Sequence, residues 1–296
     1  MDKSGRPRWK KGKDGKDLAA LAASQPMSAI VAKLQASLKG SNLAATLSSG
    51  AGDAILGVNP QQAAVLSRAA FGRALENAGA GKHWFQLGAE EVFYLLHALN
   101  CIAVVESASK DNPMNQGELW DRLCSASESF PETYKAYSHL RSKNWVVRSG
   151  LQYGADFVAY RHHPALVHSE FAVVVVPEGL GFGGRRGRLN VWSDLLCALR
   201  ASGSVAKALL VLTISSDVRE LRSPDCLEQL VVHERTVARW MAQQCREQRC
   251  EPCGEEEAYK EEQDHAGETV VFNCWGVMLG FAALSGLLVY KLRFRQ

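Results

Sequence analysis

Residues 149–176 of the 296-residue chain read SGLQYGADFVAYRHHPALVHSEFAVVVV. Within them, Asp156–Tyr160 and Ser169–Val176 are short runs of β-branched and aromatic residues, and such runs are typical of strands. The turn between them leaves a tyrosine at the end of one strand and a histidine, His168, before the next. The two side chains are therefore expected to face one cleft.

The flanking sequence alternates between helical and extended patterns. Val191–Ala201 has helical spacing, with Trp192, Leu195, Leu196 and Leu199 predicted as its buried stripe. Lys207–Ile214, KALLVLTI, is a nearly continuous apolar run and predicts a buried central strand. Upstream, helices are predicted at Ser28–Leu38, at Gln61–Glu76, within 84–105, around Gly117–Ser127 and at Pro131–Ser142, and a strand is predicted at Trp145–Arg148. Leu227–Trp240 fits helix or strand equally well.

This alternation predicts an α/β (α+β) protein. We expect a small mixed N-terminal domain followed by a compact α/β domain. The predicted segments are a basic, largely disordered region (1–60), a helical or mixed domain (61–130), the α/β domain (131–244), an acidic linker (245–268) and a C-terminal transmembrane segment (269–291).

Residues 270–290, VVFNCWGVMLGFAALSGLLVY, carry no charged side chain. A helix of this length spans roughly 31 Å at ~1.5 Å per residue, about one hydrocarbon core. We therefore expect a tail anchor with the globular part on the cytosolic or nuclear side. The alternative is a buried helix docked on a partner.

Charge is concentrated at the two ends of the chain. The net charge is only +3, but residues 1–17 hold seven Lys/Arg against three Asp, and residues 251–268 hold eight Asp/Glu against one Lys. The basic end is either a solvated tail or a nuclear address or phosphate-binding arm.

Three side chains form a candidate site for RNA cleavage: Tyr160, His168 and Lys207. Attack by a 2′-hydroxyl requires a base, an acid for the leaving 5′-oxygen and a cation for the charge of the transition state. Tyr, His and Lys can supply these roles without a metal or another cofactor. From the residues alone, a core tyrosine, a satisfied histidine and a surface lysine remain the alternative.

Other candidate sites are weaker. Cys245, Cys250, Cys253 and His265 could bind zinc, although no second cysteine pair accompanies Cys250 and Cys253. The loop 178–188, EGLGFGGRRGR, could contact RNA backbone through its arginines. His162 either contacts RNA or is an exposed turn residue.

Four segments resemble the catalytic subunits of the eukaryotic tRNA-splicing endonuclease. The run YGADFVAYRHHPALVHSEFAVVV places a His eight residues after a Tyr-Arg pair, and SGSVAKALLVL places a Lys 39 residues later. HLRSKNWVVRSG resembles the lead-in to this region. SPDCLEQLVVHERTVARW resembles the end of the domain in the subunit type that cuts the 5′ splice site. The resemblance covers about residues 85–240.

The resemblance implies roles for individual residues. Tyr160 would be the general base, His168 the general acid and Lys207 the stabiliser of the transition state. Arg200 and Trp240 would form a cation–π pincer that grips a nucleobase at the active site of a partner subunit, and Arg161 would contact RNA.

The resemblance also implies a fold and partners. The α/β domain would be related to restriction endonucleases. The chain would cut pre-tRNA in a heterotetramer with a second catalytic subunit and two structural subunits, without metal, leaving a 2′,3′-cyclic phosphate and a 5′-hydroxyl. It departs from the family at His163, where glycine is frequent, and at Glu170, which replaces a small residue and adds negative charge near a phosphate.

Alternatives remain at this point. The chain could be a non-catalytic scaffold subunit of the same complex, or a tail-anchored adaptor with a decayed nuclease fold. A metal-dependent nuclease is disfavoured because residues 150–210 lack paired carboxylates with a lysine. The resemblance favours a nuclear location, whereas the apolar tail favours the cytosolic face of the mitochondrial outer membrane.

Overall fold

The computed structural model describes residues 24–48, 50, 52–75, 82–106, 109–179, 182, 188–216, 221, 223–239 and 268–272. Within these residues, twelve strands form two mixed sheets of six strands each. Helices pack between and against the sheets, so the predicted α+β class is confirmed.

The first sheet belongs to the N-terminal half. Its strands are Ala44–Leu47 (β1), Ala54–Val58 (β2), Arg73–Leu75 (β3), His83–Leu87 (β4), Ala103–Glu106 (β5) and Ser109–Pro113 (β6). They lie in the order β3-β4-β2-β1-β5-β6. Only β1 and β5 pair in parallel; the other neighbours are antiparallel.

The second sheet carries the residues singled out above. Its strands are Val146–Ser149 (β7), Phe157–Tyr160 (β8), Phe171–Gly179 (β9), Ala208–Ser216 (β10), Val231–Arg239 (β11) and Glu268–Phe272 (β12). They lie in the order β12-β11-β10-β9-β8-β7. β9 and β10 form a parallel pair at the centre, because a helical crossover joins them.

Two of the helices begin at an asparagine that caps them. The side chains of Asn59 and Asn115 accept hydrogen bonds from the backbone N–H three residues ahead. In return, the side-chain oxygens of Gln62 and Glu118 accept a hydrogen bond from the N–H of the capping residue. The helices are Met27–Lys39 (α1), Pro60–Arg68 (α2), Ala89–Phe93 (α3), which continues as a π-helix over Tyr94–Ala98, Gln116–Ala126 (α4), Phe130–Ser142 (α5) and Trp192–Ser204 (α6).

The two faces of the second sheet are covered differently. Val173 and Leu210 belong to one large apolar cluster with α5 and the first sheet. Val174 and Leu209 point the other way and pack under Leu199 of α6. This alternation along each strand is what a sheet with helices on both faces requires.

Arg141 of α5 joins the two halves of the chain. Its side chain is buried, and its two terminal nitrogens donate hydrogen bonds to the carbonyl oxygens of Ala69 (3.3 Å) and Ala70 (3.0 Å). Nε donates to the hydroxyl of Tyr137 at 2.9 Å, and the guanidinium lies 4.1 Å from the ring centre of Phe71. The buried charge therefore depends on both sides of the junction for its partners.

The structure differs from the sequence-based expectations in the N-terminal half. The helix predicted within residues 84–105 is confirmed as α3 and its π-helical continuation, Ala89–Ala98, but the stretch also begins in β4 and ends in β5, which were not predicted. Residues 27–58 hold α1, β1 and β2, although 1–60 was predicted to be largely disordered. The early strands were missed because each is only three to five residues long in an Ala- and Gly-rich context.

The predicted buried stripe of α6 is half wrong. Leu195 and Leu199 pack against the sheet, but Trp192 and Leu196 are 62% and 57% exposed. The ambiguous segment Leu227–Trp240 contributes a short 3₁₀ turn ending at Glu228 and then β11. The pairing of β11 with β10 resolved the ambiguity in favour of a strand.

The predicted transmembrane helix is not supported. Its first residues lie in β12, Glu268–Phe272, which pairs in parallel with β11. The structure describes no helix that is both long and apolar enough to cross a bilayer, a statement limited to the described ranges. Residues 273–291 of the predicted span lie outside them.

Replacing Arg141 with methionine should destabilise the protein by about 3 kcal/mol. The change leaves the buried carbonyls of Ala69 and Ala70 without their donor, and an unsatisfied buried group costs roughly 1–3 kcal/mol. Urea unfolding curves of the chain would measure this difference. Arg122→Met on α4 is the matched control, and equal losses in the two variants would contradict the proposed role of Arg141.

A second prediction concerns Glu234 of β11, whose carboxylate meets His139 at 2.8 Å and Lys143 at 3.0 Å. The hydrogen bond with His139, followed by that with Lys143, lowers the pKa of Glu234 from 4.5 to about 2. A depressed carboxyl pKa stabilises the fold above the unfolded-state pKa, and this stability is lost as the pH falls towards the folded-state value.

Glu234→Gln should therefore lower the free energy of unfolding by about 1–2 kcal/mol at neutral pH, once solvent screening is allowed for. The difference from wild type should shrink as the pH falls from about 5 to about 2.5. Urea titrations across this range would measure it. A difference that does not change with pH would contradict the assignment.

Candidate active site

The register of the second sheet gathers the predicted catalytic segments at one end. Ala159 of β8 pairs with Phe171 of β9, and Phe171 pairs with Ala208 of β10. Tyr160 follows the first of these residues, and Lys207 precedes the last. The side chains of Tyr160 and Lys207 therefore start at the same end of the three adjacent strands β8, β9 and β10.

Glu170 connects these strands through its backbone. Its N–H donates to the carbonyl of Ala159 at 2.9 Å, and its carbonyl accepts from the N–H of Ala208 at 2.9 Å. The spacing between Tyr160 and Lys207 is thus set by main-chain hydrogen bonds rather than by loop conformation. His168 lies two residues before Glu170 and is exposed.

Lys207 is positioned by an unusual backbone. Ala206 has φ +53°, a left-handed conformation that costs an alanine energy, and the Lys207 N–H donates to the Ser202 carbonyl at 3.0 Å. The half-buried side chain places Nζ 4.7 Å from the ring centre of Tyr153. The lysine is therefore held at the entrance to β10 by both its backbone and an aromatic contact.

Arg161 and Glu170 form an ion pair beside Tyr160. Arg161 Nε lies 2.5 Å from Glu170 Oε1, and the guanidinium lies 5.1 Å from the ring centre of Trp145. The negative charge that Glu170 adds near the site is therefore matched by a neighbouring cation. The Arg161 side chain nevertheless remains 69% exposed.

The turn after Tyr160 docks on the N-terminal half. His162 is buried, not exposed, and its Nε2 donates to the carbonyl of Gln25 at 3.0 Å. Its buried Nδ1 has no hydrogen-bond partner within the described ranges. The neighbouring His163 accepts a hydrogen bond from the Ala165 N–H at 3.1 Å, and burial lowers its pKa. The histidine pair thus ties the turn to the first half, which corrects the predicted RNA-contacting or exposed role of His162.

Other predicted residues fall into three groups. Arg188, the last arginine of loop 178–188, is already paired with Asp156 at 3.0 Å, and the loop's other two arginines lie outside the described residues. Arg200 is exposed on α6. Trp240 lies outside the described residues, but Val237 of the same segment packs near Leu199.

The candidate zinc residues Cys245, Cys250, Cys253 and His265 also lie outside the described residues. A cleft of about 490 Å³ does exist between the two halves, with Glu90 and Arg148 in its walls, but none of the three predicted catalytic residues lines it. Burial raises the pKa of Glu90 there. The candidate active site is therefore a sheet rim rather than this cleft.

Sequence reasoning missed two aromatic neighbours of the site, Trp145 and Tyr153. Trp145 was assigned to a strand for its β propensity, and Tyr153 was only part of a motif. A signal existed for Trp145: once Val146 is paired with Tyr160, Trp145 falls opposite Arg161. No comparable pattern indicated Tyr153, because its loop precedes β8 and is not in the ladder.

Comparison with known proteins points in one direction. A family described as tRNA intron endonuclease, catalytic C-terminal domain, matches residues 130–220. The chain is 71% identical to a protein of Oryza sativa subsp. japonica named probable tRNA-splicing endonuclease subunit Sen2, over 100% of both chains. It is 45% identical to tRNA-splicing endonuclease subunit Sen2-1 of Arabidopsis thaliana, over 81% of this chain and 97% of that one. The mouse subunit Sen2 is 29% identical over 54% of this chain and 35% of its own.

The contact of Lys207 with Tyr153 can be tested by competitive acylation of lysines, read by mass spectrometry. Tyr153→Leu should raise the labelling rate of Lys207 about two- to fivefold, because an exposed cation–π contact contributes roughly 0.5–1 kcal/mol. Tyr153→Phe keeps the ring and should label like the wild type. Equal rates in both variants would rule out the aromatic contact.

Proposed function

The chain belongs to the family of Sen2-type tRNA-splicing endonuclease subunits, and from this premise we propose that it cuts pre-tRNA at the 5′ exon–intron junction. The observation that carries the proposal is the placement of Tyr160 and Lys207 on strands joined through Glu170. The site residues of the proposal are Tyr160, His168 and Lys207.

The proposed reaction is an internal transesterification. Tyr160 accepts the proton of the 2′-hydroxyl on the 5′ side of the junction, and that oxygen attacks the adjacent phosphorus. The bond from phosphorus to the 5′-oxygen breaks, and His168 donates a proton to the departing oxygen. The products are a 2′,3′-cyclic phosphate and a 5′-hydroxyl, and no water is consumed, which makes the enzyme a lyase.

Lys207 stabilises the charge that develops on the phosphoryl oxygens. A fixed cation is effective there when it needs no reorganisation during the reaction. The left-handed Ala206 and the ring of Tyr153 hold the lysine before substrate arrives. The surrounding sheet, with α5 on one face and α6 on the other, suits the restriction-endonuclease-like core that we expect.

The proposed partners are intron-containing pre-tRNA, a second catalytic subunit and two structural subunits. Arg200 and Trp240 would grip a nucleobase at the second catalytic subunit. The exposure of Arg200 and the packing of Leu199 near Val237 support this role. The competing function, a non-catalytic scaffold subunit, is separated from ours by the sensitivity of cleavage to substitution.

We also propose a nuclear location, from the basic residues 1–17. A fluorescent fusion should accumulate in the nucleus and lose this accumulation when the seven basic residues of the segment are changed to glutamine. Fluorescence at mitochondrial surfaces in the unchanged fusion would favour the alternative location.

The test of the catalytic role is pre-tRNA cleavage by the reconstituted complex in EDTA. His168→Ala should lower the rate at the 5′ site by about 10²–10⁴-fold, the usual contribution of a general acid. Cleavage at the 3′ site should continue, because it belongs to the other catalytic subunit. His83→Ala, on an exposed position of β4, is the matched control.

Normal 5′ cleavage by His168→Ala would make this chain a scaffold. Loss of cleavage in the wild type on adding EDTA would instead make the nuclease metal-dependent. Loss of both cuts in His168→Ala with an intact complex would contradict the assignment to the 5′ site.

A further inference from the structure

Arg161 stands out among the cations near the site because two contacts hold its side chain and its backbone position is fixed by Tyr160. Its Nε is bound to Glu170, its guanidinium lies over the indole of Trp145 at 5.1 Å, and its backbone follows Tyr160 directly. Even so, its side chain is 69% exposed. A long cation that is held by neighbours and still open to solvent is suited to binding a ligand.

Trp145 is itself firmly placed. It leaves α5 through Asn144, whose φ of +65° turns the chain, and its N–H donates to the Leu140 carbonyl at 3.0 Å. Its ring meets Phe171 in a T-shaped contact with centroids 5.3 Å apart. The pairing of Val146 with Tyr160 sets Trp145 opposite Arg161 across the end of β7 and β8.

The geometry assigns a nucleobase-binding platform to Arg161, Trp145 and Glu170, beside the active site of this same chain. The guanidinium carbon lies over the indole ring, 5.1 Å from its centre, and the solvent-exposed part of the planar group can stack on a base. Glu170 is the positioning residue, because its carboxylate binds Nε and thereby sets the plane of the guanidinium. The ligand is a nucleotide of the RNA next to the cleaved bond.

The platform is distinct from the proposed Arg200–Trp240 pincer. Its residues precede β7, follow β8 and precede β9, whereas Arg200 lies on α6. It also acts in the chain that cuts, since Arg161 is adjacent to Tyr160. The inference rests on the proposed function, because it takes the bound strand to be the pre-tRNA substrate.

Substitution of Arg161 by lysine distinguishes base stacking from a simple phosphate contact. Lysine keeps the positive charge but loses the planar group that stacks on a base and the Nε that binds Glu170. Arg161→Lys should therefore raise the RNA concentration for half-maximal single-turnover cleavage by about 10-fold, since stacking contributes roughly 1–3 kcal/mol per base. The maximal rate should change less than this.

The decisive experiment combines this variant with altered RNA. Two substrates carry an abasic ribonucleotide, one on each side of the 5′ junction, with every 2′-hydroxyl retained. With one of these substrates, the RNA concentration that gives half-maximal cleavage by the wild-type complex should rise about 10-fold. On that substrate, Arg161→Lys should not raise this concentration further. Glu170→Gln should give a smaller loss in the same direction, and Arg122→Lys on α4 is the matched control.

Several outcomes would overturn the platform. Wild-type cleavage of intact RNA by Arg161→Lys would show that no base stacks on Arg161, and additive losses with both abasic substrates would equally exclude a shared base contact. If Arg161→Gln alone weakens binding and reduces the salt dependence by about one charge, Arg161 binds phosphate instead. These failures are separable from failure of the proposed function, which His168→Ala tests independently.

Discussion

The buried charge of Arg141 is the constraint on which the arrangement of the two halves depends. The side chain of Arg141 is only 6% exposed and must have its donors satisfied, and two of the three oxygens that accept from it belong to the chain after α2. Arg148 and His162 also bind backbone oxygens of the first half, because they donate to the carbonyls of Gly72 and Gln25, respectively. Three side chains of the second half thus donate to backbone oxygens of the first, and the docking is specified by hydrogen-bond geometry as well as by apolar contact.

This docking reaches the candidate active site through short connections. Arg141 lies on the last turn of α5, four residues before Trp145, and His162 lies two residues after Tyr160. The N-terminal half therefore holds both strands of the β7–β8 pair at the end that carries Tyr160, without contributing a predicted catalytic residue. Its role is to keep the rim of the second sheet in one conformation, which a site for electrostatic catalysis requires.

The sequence predicted the second half better than the first, for physical reasons. β9 and β10 are nine-residue strands built on nearly continuous apolar runs, and they and the shorter β8 were expected close to their observed bounds. β1 to β3 are short and rest on partners distant in sequence, so local patterns carried little information. The same limit applies to α6, where helical spacing was right but tertiary packing left Trp192 in solvent. The ion pair of Arg161 with Glu170 needed the strand register, which no local pattern supplies.

The parallel pairing of β9 with β10 has a consequence for the folding of the newly synthesised chain. β8 and β9 are neighbours in sequence and can pair early, but β10 joins only after the chain through α6 has been made and the loop between them has closed. Lys207 directly precedes β10 and reaches the rim of the sheet only when β10 pairs with β9. In a chain still emerging from the ribosome, Tyr160 and His168 would therefore be present before Lys207 is in place, so the proposed three-residue site would stay incomplete until β10 has paired with β9.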